Sequence, residues 1–128
     1  MAVTKNARTL VASISNAAGA TKRGTIDLTA AQGGGFLTIK ITNGATGPTV
    51  QCVCNILIAH AAALPAAAAA GADWKTIMSY GGGVTANVIT EIGMPIDPAI
   101  MHLEVEFAGN TGQAVTVEAY LSELTSAV

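Results

Sequence analysis

This chain is short of charge. Asp, Glu, Lys and Arg make up 11% of its 128 residues, where a lone soluble domain carries about 25%. The intrinsically disordered class is excluded even so, because such chains are highly charged and poor in apolar residues, and this one is 51% hydrophobic. Long apolar runs are missing as well. The Ala-rich stretch 61–72 is too short and too weakly hydrophobic to span a bilayer. The opening MAVTKNARTLVASIS lacks the apolar run of about 7–15 residues that a secretion signal needs, so synthesis in a cytoplasm is expected. A surface this poor in charge must be covered by neutral polar groups or by other protein. Thr, Gly, Asn and Gln supply part of the first, and the second predicts a subunit that works inside an assembly.

Catalytic signatures are absent too. There are two histidines and no G-x-S-x-G sequence, so no base is placed near a nucleophile. The triplets at 33–35 and 81–83 continue into neither a P-loop nor the spaced glycines of a dinucleotide site, and read as turns. No enzyme activity and no cofactor are expected. A net charge of −2 gives no pull toward nucleic acid, and the cations are not interleaved with aromatics. Cys52 and Cys54 lie one residue apart on one side of a strand, where a bridge would be strained; buried free thiols are expected.

The charges that exist are unevenly placed. Lys5, Arg8, Lys22, Arg23 and Lys40 precede residue 72 with Asp27 alone against them, while Glu91, Asp97, Glu104, Glu106, Glu118 and Glu123 follow Lys75. If the fold keeps the two sets on separate faces, neighbouring copies could meet basic side to acidic side; chance clustering explains the pattern equally well.

Periodicity points to short strands. Leu10, Ala12 and Ile14 alternate with Thr9, Ser13 and Ser15, and Ile26 and Leu28 flank Asp27. In GFLTIKIT, Leu37, Ile39 and Ile41 oppose Thr38, Lys40 and Thr42, the mark of a half-buried strand. The run TVQCVCNILIAH is apolar on both faces, with Val53, Leu57 and Ala59 opposite Cys52, Cys54 and Ile56, which predicts a central or covered strand. The stretch AAALPAAAAAGA reads as a loop with at most a turn or two of helix. Strands are expected in DWKTIMSY and VTANVITEI, and GMPIDPA, with Pro95 and Pro98, is expected to be a connection. Met101, Leu103, Val105 and Phe107 face one way with His102, Glu104 and Glu106 opposite. After GNTG, Val115, Val117, Ala119 and Leu121 face in; these two strands read as a hairpin. About eight strands with Gly-rich turns predict an antiparallel β-sandwich, jelly-roll-like or immunoglobulin-like. Residues 1–8 are expected to form an amino-terminal arm, with a single sandwich domain over 9–128, and NAAGATK at 16–22 is a second candidate arm.

Each candidate site has a plainer reading. His102, Glu104 and Glu106 could present metal ligands, but side chains two apart on a strand sit roughly 7 Å from each other, so a solvated outer face is favoured. His60 with Cys52 and Cys54 matches no standard zinc spacing, and no metal is expected. Trp74 and Tyr80 could stack on sugar rings, or Trp74 could simply close one end of the core. Val53 and Leu57 are the candidate subunit contacts, and Lys5 and Arg8 the candidate contacts of the arm with an acidic neighbour.

Three segments carry a resemblance. LTIKITNGATGPTVQCVCNILI, ADWKTI and FAGNTGQAVTVEAYLSEL resemble small β-sandwich structural proteins encoded in the virion gene clusters of tailed bacteriophages. The likeness covers about residues 24–124 and departs at 61–72, where a polar turn would be expected before the Trp strand. It implies a non-enzymatic capsid decoration or cement protein that binds and stabilises the head shell. The implied partners are further copies in a homotrimer and the major capsid protein, with no membrane and no direct nucleic-acid contact. The implied location is the capsid surface of the virion, after synthesis in the host cytoplasm. The alternative is a tail or fibre component with a carbohydrate-binding face.

Overall fold

The computed structural model describes residues 3–30, 34–67 and 73–127. Eight strands follow in chain order: β1 (Val3–Asn16), β2 (Lys22–Asp27), β3 (Gly35–Asn43), β4 (Val53–Ala59), β5 (Trp74–Gly81), β6 (Ile89–Ile96), β7 (His102–Ala108) and β8 (Val115–Ala127). They form two four-stranded sheets. Sheet I has the order β1-β8-β3-β6 and sheet II the order β2-β7-β4-β5. Every neighbouring pair is antiparallel.

The topology is a rolled ribbon. The outermost strands of the chain, β1 and β8, pair with each other, as do β2 with β7, β3 with β6 and β4 with β5. Rolling that four-ply hairpin and joining β8 to β3 and β7 to β4 produces the two sheets. This is the jelly roll, and it decides between the two sandwich topologies that periodicity left open. The inner faces meet in one core. Leu37, Ile39, Ile41, Val117, Ala119 and Leu121 come from sheet I, and Ile26, Cys54, Ile56, Leu103, Val105 and Phe107 from sheet II. On the β1/β2 side the sheets nearly touch: a Cβ on Gly24 would fall 2.0 Å from the Leu10 carbonyl oxygen, so only glycine allows this approach.

Five expectations are corrected. Residues 3–8 do not stand apart as an arm; they run in β1, with Val3 opposite Ala127 and Arg8 opposite Leu121. Their side chains are exposed, so they leave no apolar period, yet their backbone groups join the ladder with β8. The segment 17–21 is a tight turn, closed by Ala20 N–H to Ala17 O at 2.9 Å and tied to Asn110 O through Gly19 N–H at 2.8 Å. The last two strands are not a hairpin, because β7 lies in sheet II and β8 in sheet I. Alternation tells which side of a strand faces the core, not which strand is its neighbour. Gly109 and Gly112, with φ of 94° and 82°, carry the chain across. The segment expected as a connection at Pro95 belongs to β6, which begins later than expected, at Ile89. β6 is an edge strand, where the missing N–H of proline is tolerated. Register shifts on both sides of Val11 turn that residue inward and leave Ile14 exposed, the reverse of the expected alternation. The helical turn considered for the Ala-rich stretch falls partly on 68–72, outside the described residues.

The core assignments generate a test. Phe107→Ala and Leu103→Ala, each at a fully buried side chain, should each lower the unfolding free energy by about 2–5 kcal/mol in denaturant melts.

Candidate functional site on the sheet faces

β7 and β4, in the middle of sheet II, place their outward side chains in rows. Pairing sets Asp27, His102, Ala59 and Trp74 side by side, then Thr25, Glu104, Leu57 and Thr76, then Arg23, Glu106, Asn55 and Ser79. The third row is a continuous polar chain. The Arg23 guanidinium donates to Glu106 Oε2 at 2.7 Å and 3.0 Å, Asn55 Nδ2 donates to Glu106 Oε1 at 3.1 Å, and Ser79 Oγ donates to Asn55 Oδ1 at 2.6 Å.

The first two rows overturn the expectation of a solvated face. His102 and Glu104 are both completely buried. The described part of the Ala-rich segment lies against this side of the sheet. His102 Nε2 sits 2.6 Å from the Ala61 carbonyl oxygen, which requires that nitrogen to donate. Trp74 Nε1–H donates to Ala66 O at 3.0 Å. His102 Nδ1 lies 3.5 Å from Asp27 Oδ1. The Asp27 carboxyl is held below its ordinary range by the Thr29 hydroxyl at 2.6 Å and the Thr29 N–H at 2.9 Å, with His102 a smaller contribution. A buried imidazole committed to a carbonyl is a fastener for the segment that follows β4. Among the described residues, no group of three or more His, Cys, Asp or Glu is placed to hold a metal ion.

The other candidates fall as follows. Val53 and Leu57 are half-buried on the outer face of β4, with Asn55 between them. Trp74 and Tyr80 do not form one platform. A register shift between Ile56 and Leu57, where Met78 is followed by Thr76 in the pairing, places them on opposite faces of β5. Trp74 lies with the Ala-rich segment, and Tyr80 packs against the core. Lys5 is exposed on β1. Arg8 is engaged within the chain, its Nη1 2.9 Å from Glu123 Oε1. The basic and acidic sets that sequence separates are therefore interleaved by the fold. Arg8 meets Glu123, Arg23 meets Glu106, and Lys40 lies 3.3 Å from Glu91 and 3.9 Å from Glu118.

Periodicity missed the outer face of sheet I as a site. There Phe36 and Tyr120 are 50% and 38% exposed on adjacent strands, on diagonal positions, since Phe36 pairs with Ser122 and Thr38 with Tyr120. Beside them runs an open groove of about 480 Å³, lined by Thr38, Lys40, Glu91, Gly93 and Glu118. Gly93 leaves room for the Phe36 ring; a Cβ there would come within 2.8 Å of it. Phe36 has the same outward parity as Thr38 and Lys40, a signal present in GFLTIKIT. That Tyr120 lies beside it depends on the β3–β8 pairing, which alternation does not reveal.

No protein-family model and no curated protein sequence matches this chain. Among solved structures, the K3 cleaved adhesin domain of Lys-gingipain from Porphyromonas gingivalis w83 superposes with a TM-score of 0.56 at 11% identity, over 89% of this chain and 74% of that one. A family 16 carbohydrate-binding module-2 gives 0.47 at 8% identity, over 88% and 74%. The enzymatically active domain of tailspike protein 4 of bacteriophage CBA120 gives 0.49 at 13%, over 95% of this chain but 18% of that one. The likeness is one of fold: an all-β sandwich of two antiparallel four-stranded sheets.

Both thiols are free and buried, as expected. Burial pushes the Cys52 thiol up to about 11 and also raises that of Cys54, where Cys52 and Glu106 add to the effect. In the unfolded chain such thiols titrate near 9, so between about pH 9 and 11 the unfolded state binds fewer protons and stability falls as pH rises. Native protein at pH 8 should therefore react with a thiol reagent far more slowly than denatured protein, with two thiols released on unfolding. Rapid labelling of the folded chain would contradict the burial.

Proposed function

We propose that this chain is a non-enzymatic structural protein of a bacteriophage virion, a decoration or cement protein that binds and stabilises the head shell. The observation that carries the proposal is the poverty of charge on a surface that is nonetheless rich in exposed apolar side chains. Val3, Ile14, Phe36, Ile77, Met78 and Ile89 are all exposed on strands. Three cations are spent on contacts within the chain. Depletion of charge marks the core of an interface, so a surface with so few charges suits a subunit covered by neighbours on more than one side. The sequence resemblance to virion structural sandwiches supports the same reading. Its partners are then the major capsid protein and further copies of the chain, in a trimer, with the half-buried Val53 and Leu57 the candidate contacts between copies. The site of action is the capsid surface, reached after synthesis in the host cytoplasm.

A second reading rests on the face of sheet I. Two exposed aromatic rings beside a groove with both donors and acceptors suit a sugar, and would place the sandwich in a tail or fibre with a carbohydrate-binding face. Phe36 and Tyr120, rather than Trp74 and Tyr80, are its residues, because the latter pair is divided between two faces of β5.

Shell stabilisation has a direct consequence. Particles assembled without this chain should release their DNA at a lower temperature than complete particles, and adding back the purified protein should restore the higher value. Equal release temperatures would remove the cement role and favour the tail or fibre reading.

A further inference from the structure

The connections at one end of the sandwich carry no charge. The connections β1–β2, β3–β4, β5–β6 and β7–β8 all lie at that end, because the strands alternate in direction. Residues 17–21, 44–52, 82–88 and 109–114 contain no Asp, Glu, Lys, Arg or His. The charged residues sit in strands or, like Asp73 and Asp97, in connections at the opposite end; the nearest to the neutral end in sequence is Lys22, the first residue of β2. Loops are ordinarily where a globular protein is most polar, so this distribution needs a reason. Depletion of charge is the compositional mark of an interface core.

The same end presents apolar side chains, and hydrogen bonds tie its connections together. Val50 and Val84 are 51% and 52% exposed, and Val88 is exposed beside them. Two buried asparagines hold the connections from beneath. The Asn43 side-chain amide is shared among the carbonyls of Gly82, Gly83 and Thr85 at 3.2, 3.2 and 2.9 Å. Asn110 Nδ2 is shared among those of Asn16, Ala17 and Gln113 at 3.1, 3.4 and 3.1 Å. Backbone bonds tie one connection to the next: Thr49 N–H to Thr111 O at 2.8 Å, Thr111 N–H to Val50 O at 3.2 Å, and Asn87 N–H to Gly44 O at 2.9 Å. Asn87 turns the chain at φ 62°, in the left-handed region that asparagine tolerates better than other non-glycine residues.

We propose that this neutral end of the sandwich is the surface that seats on the protein shell, against a patch that is itself uncharged and apolar. The proposal rests on the shell-binding reading and names the part of the molecule that performs it. Charge complementarity selects the occupant: a charged partner surface would be desolvated here with nothing to pair with, which is strongly unfavourable. A neutral apolar patch loses only water. Because the connections are already fixed by the asparagines, little ordering entropy is lost on docking. Attachment is then insensitive to salt, unlike attachment through Lys5 or Arg8, which screening would weaken.

The test uses full-length protein added to particles assembled without it, with attachment read by co-sedimentation. Val84→Asp and Val50→Lys place opposite charges at two exposed positions, and thermal melts establish that both variants fold. Unchanged wild-type attachment between low and high salt, with both variants weakened by about tenfold or more, is expected from the penalty of burying an unpaired charge. Attachment of both variants like wild type overturns the neutral end as the docking surface while leaving shell binding intact. Weakening by one sign of charge only, or wild-type attachment that falls with salt, shows a charged partner and overturns the neutral contact. If sedimentation of the protein alone shows oligomers that Val84→Asp dissolves, the occupant is a second copy and the assignment to the shell is overturned. Wild-type protein that fails to attach at all sinks the shell-binding reading itself, and this inference with it.

Discussion

Everything in this molecule depends on two sheets sharing one core through alternate residues. Neither sheet could persist alone, since each would leave a row of Ile, Leu and Val in water. Packed together, they bury Leu37, Ile39, Ile41, Ile56, Leu103, Val105 and Phe107 almost completely. Burial of each such side chain contributes about 1.5–3 kcal/mol, set against the conformational entropy of every residue ordered. The period of two then dictates the rest. Whatever stands between the core residues must point outward, and the two outer faces, with the connections at either end, become the surfaces available for function.

Those surfaces are treated differently. Sheet II is bridged by the polar chain from Arg23 to Ser79, and His102 holds the start of the Ala-rich segment. Sheet I keeps Phe36, Tyr120 and Ile89 in the open around a small ionic cluster at Lys40. Salt bridges on such exposed faces contribute little stability, of order 0–1 kcal/mol. Their larger effect here is to consume charge: Arg8, Arg23 and Lys40 each face a carboxylate of their own chain. What remains is a molecule with a neutral end and apolar residues on several sides, a poor design for life alone in water and a suitable one for a subunit held among others.

Much of the fold was legible in the sequence, and the limits of that legibility follow from what periodicity measures. It reports burial, and so it identifies the inward residues of β3, β7 and β8. It is silent on pairing, so it suggests a hairpin for β7 and β8, which occupy different sheets. It cannot see a strand whose side chains are all in water, and so residues 3–8 look like an arm although they pair with β8. A single extra residue defeats it locally, as at Val11 and at Ile77, where bulges reverse the parity and separate Trp74 from Tyr80. The candidate surfaces were less legible still. Phe36 and Tyr120 are far apart in sequence and meet only through the β3–β8 register. His102 has the outward parity of a wet residue, and nothing in its own strand announces the Ala-rich segment that lies over it.

The central claim is that this sandwich lives on a phage head, and imaging of purified particles by electron cryomicroscopy tests it most directly. The account predicts density on the outside of the head shell into which two four-stranded sheets fit, with the end bearing Val50 and Val84 turned toward the shell. Density for the chain confined to the tail or fibres, or its absence from the particle, would contradict it.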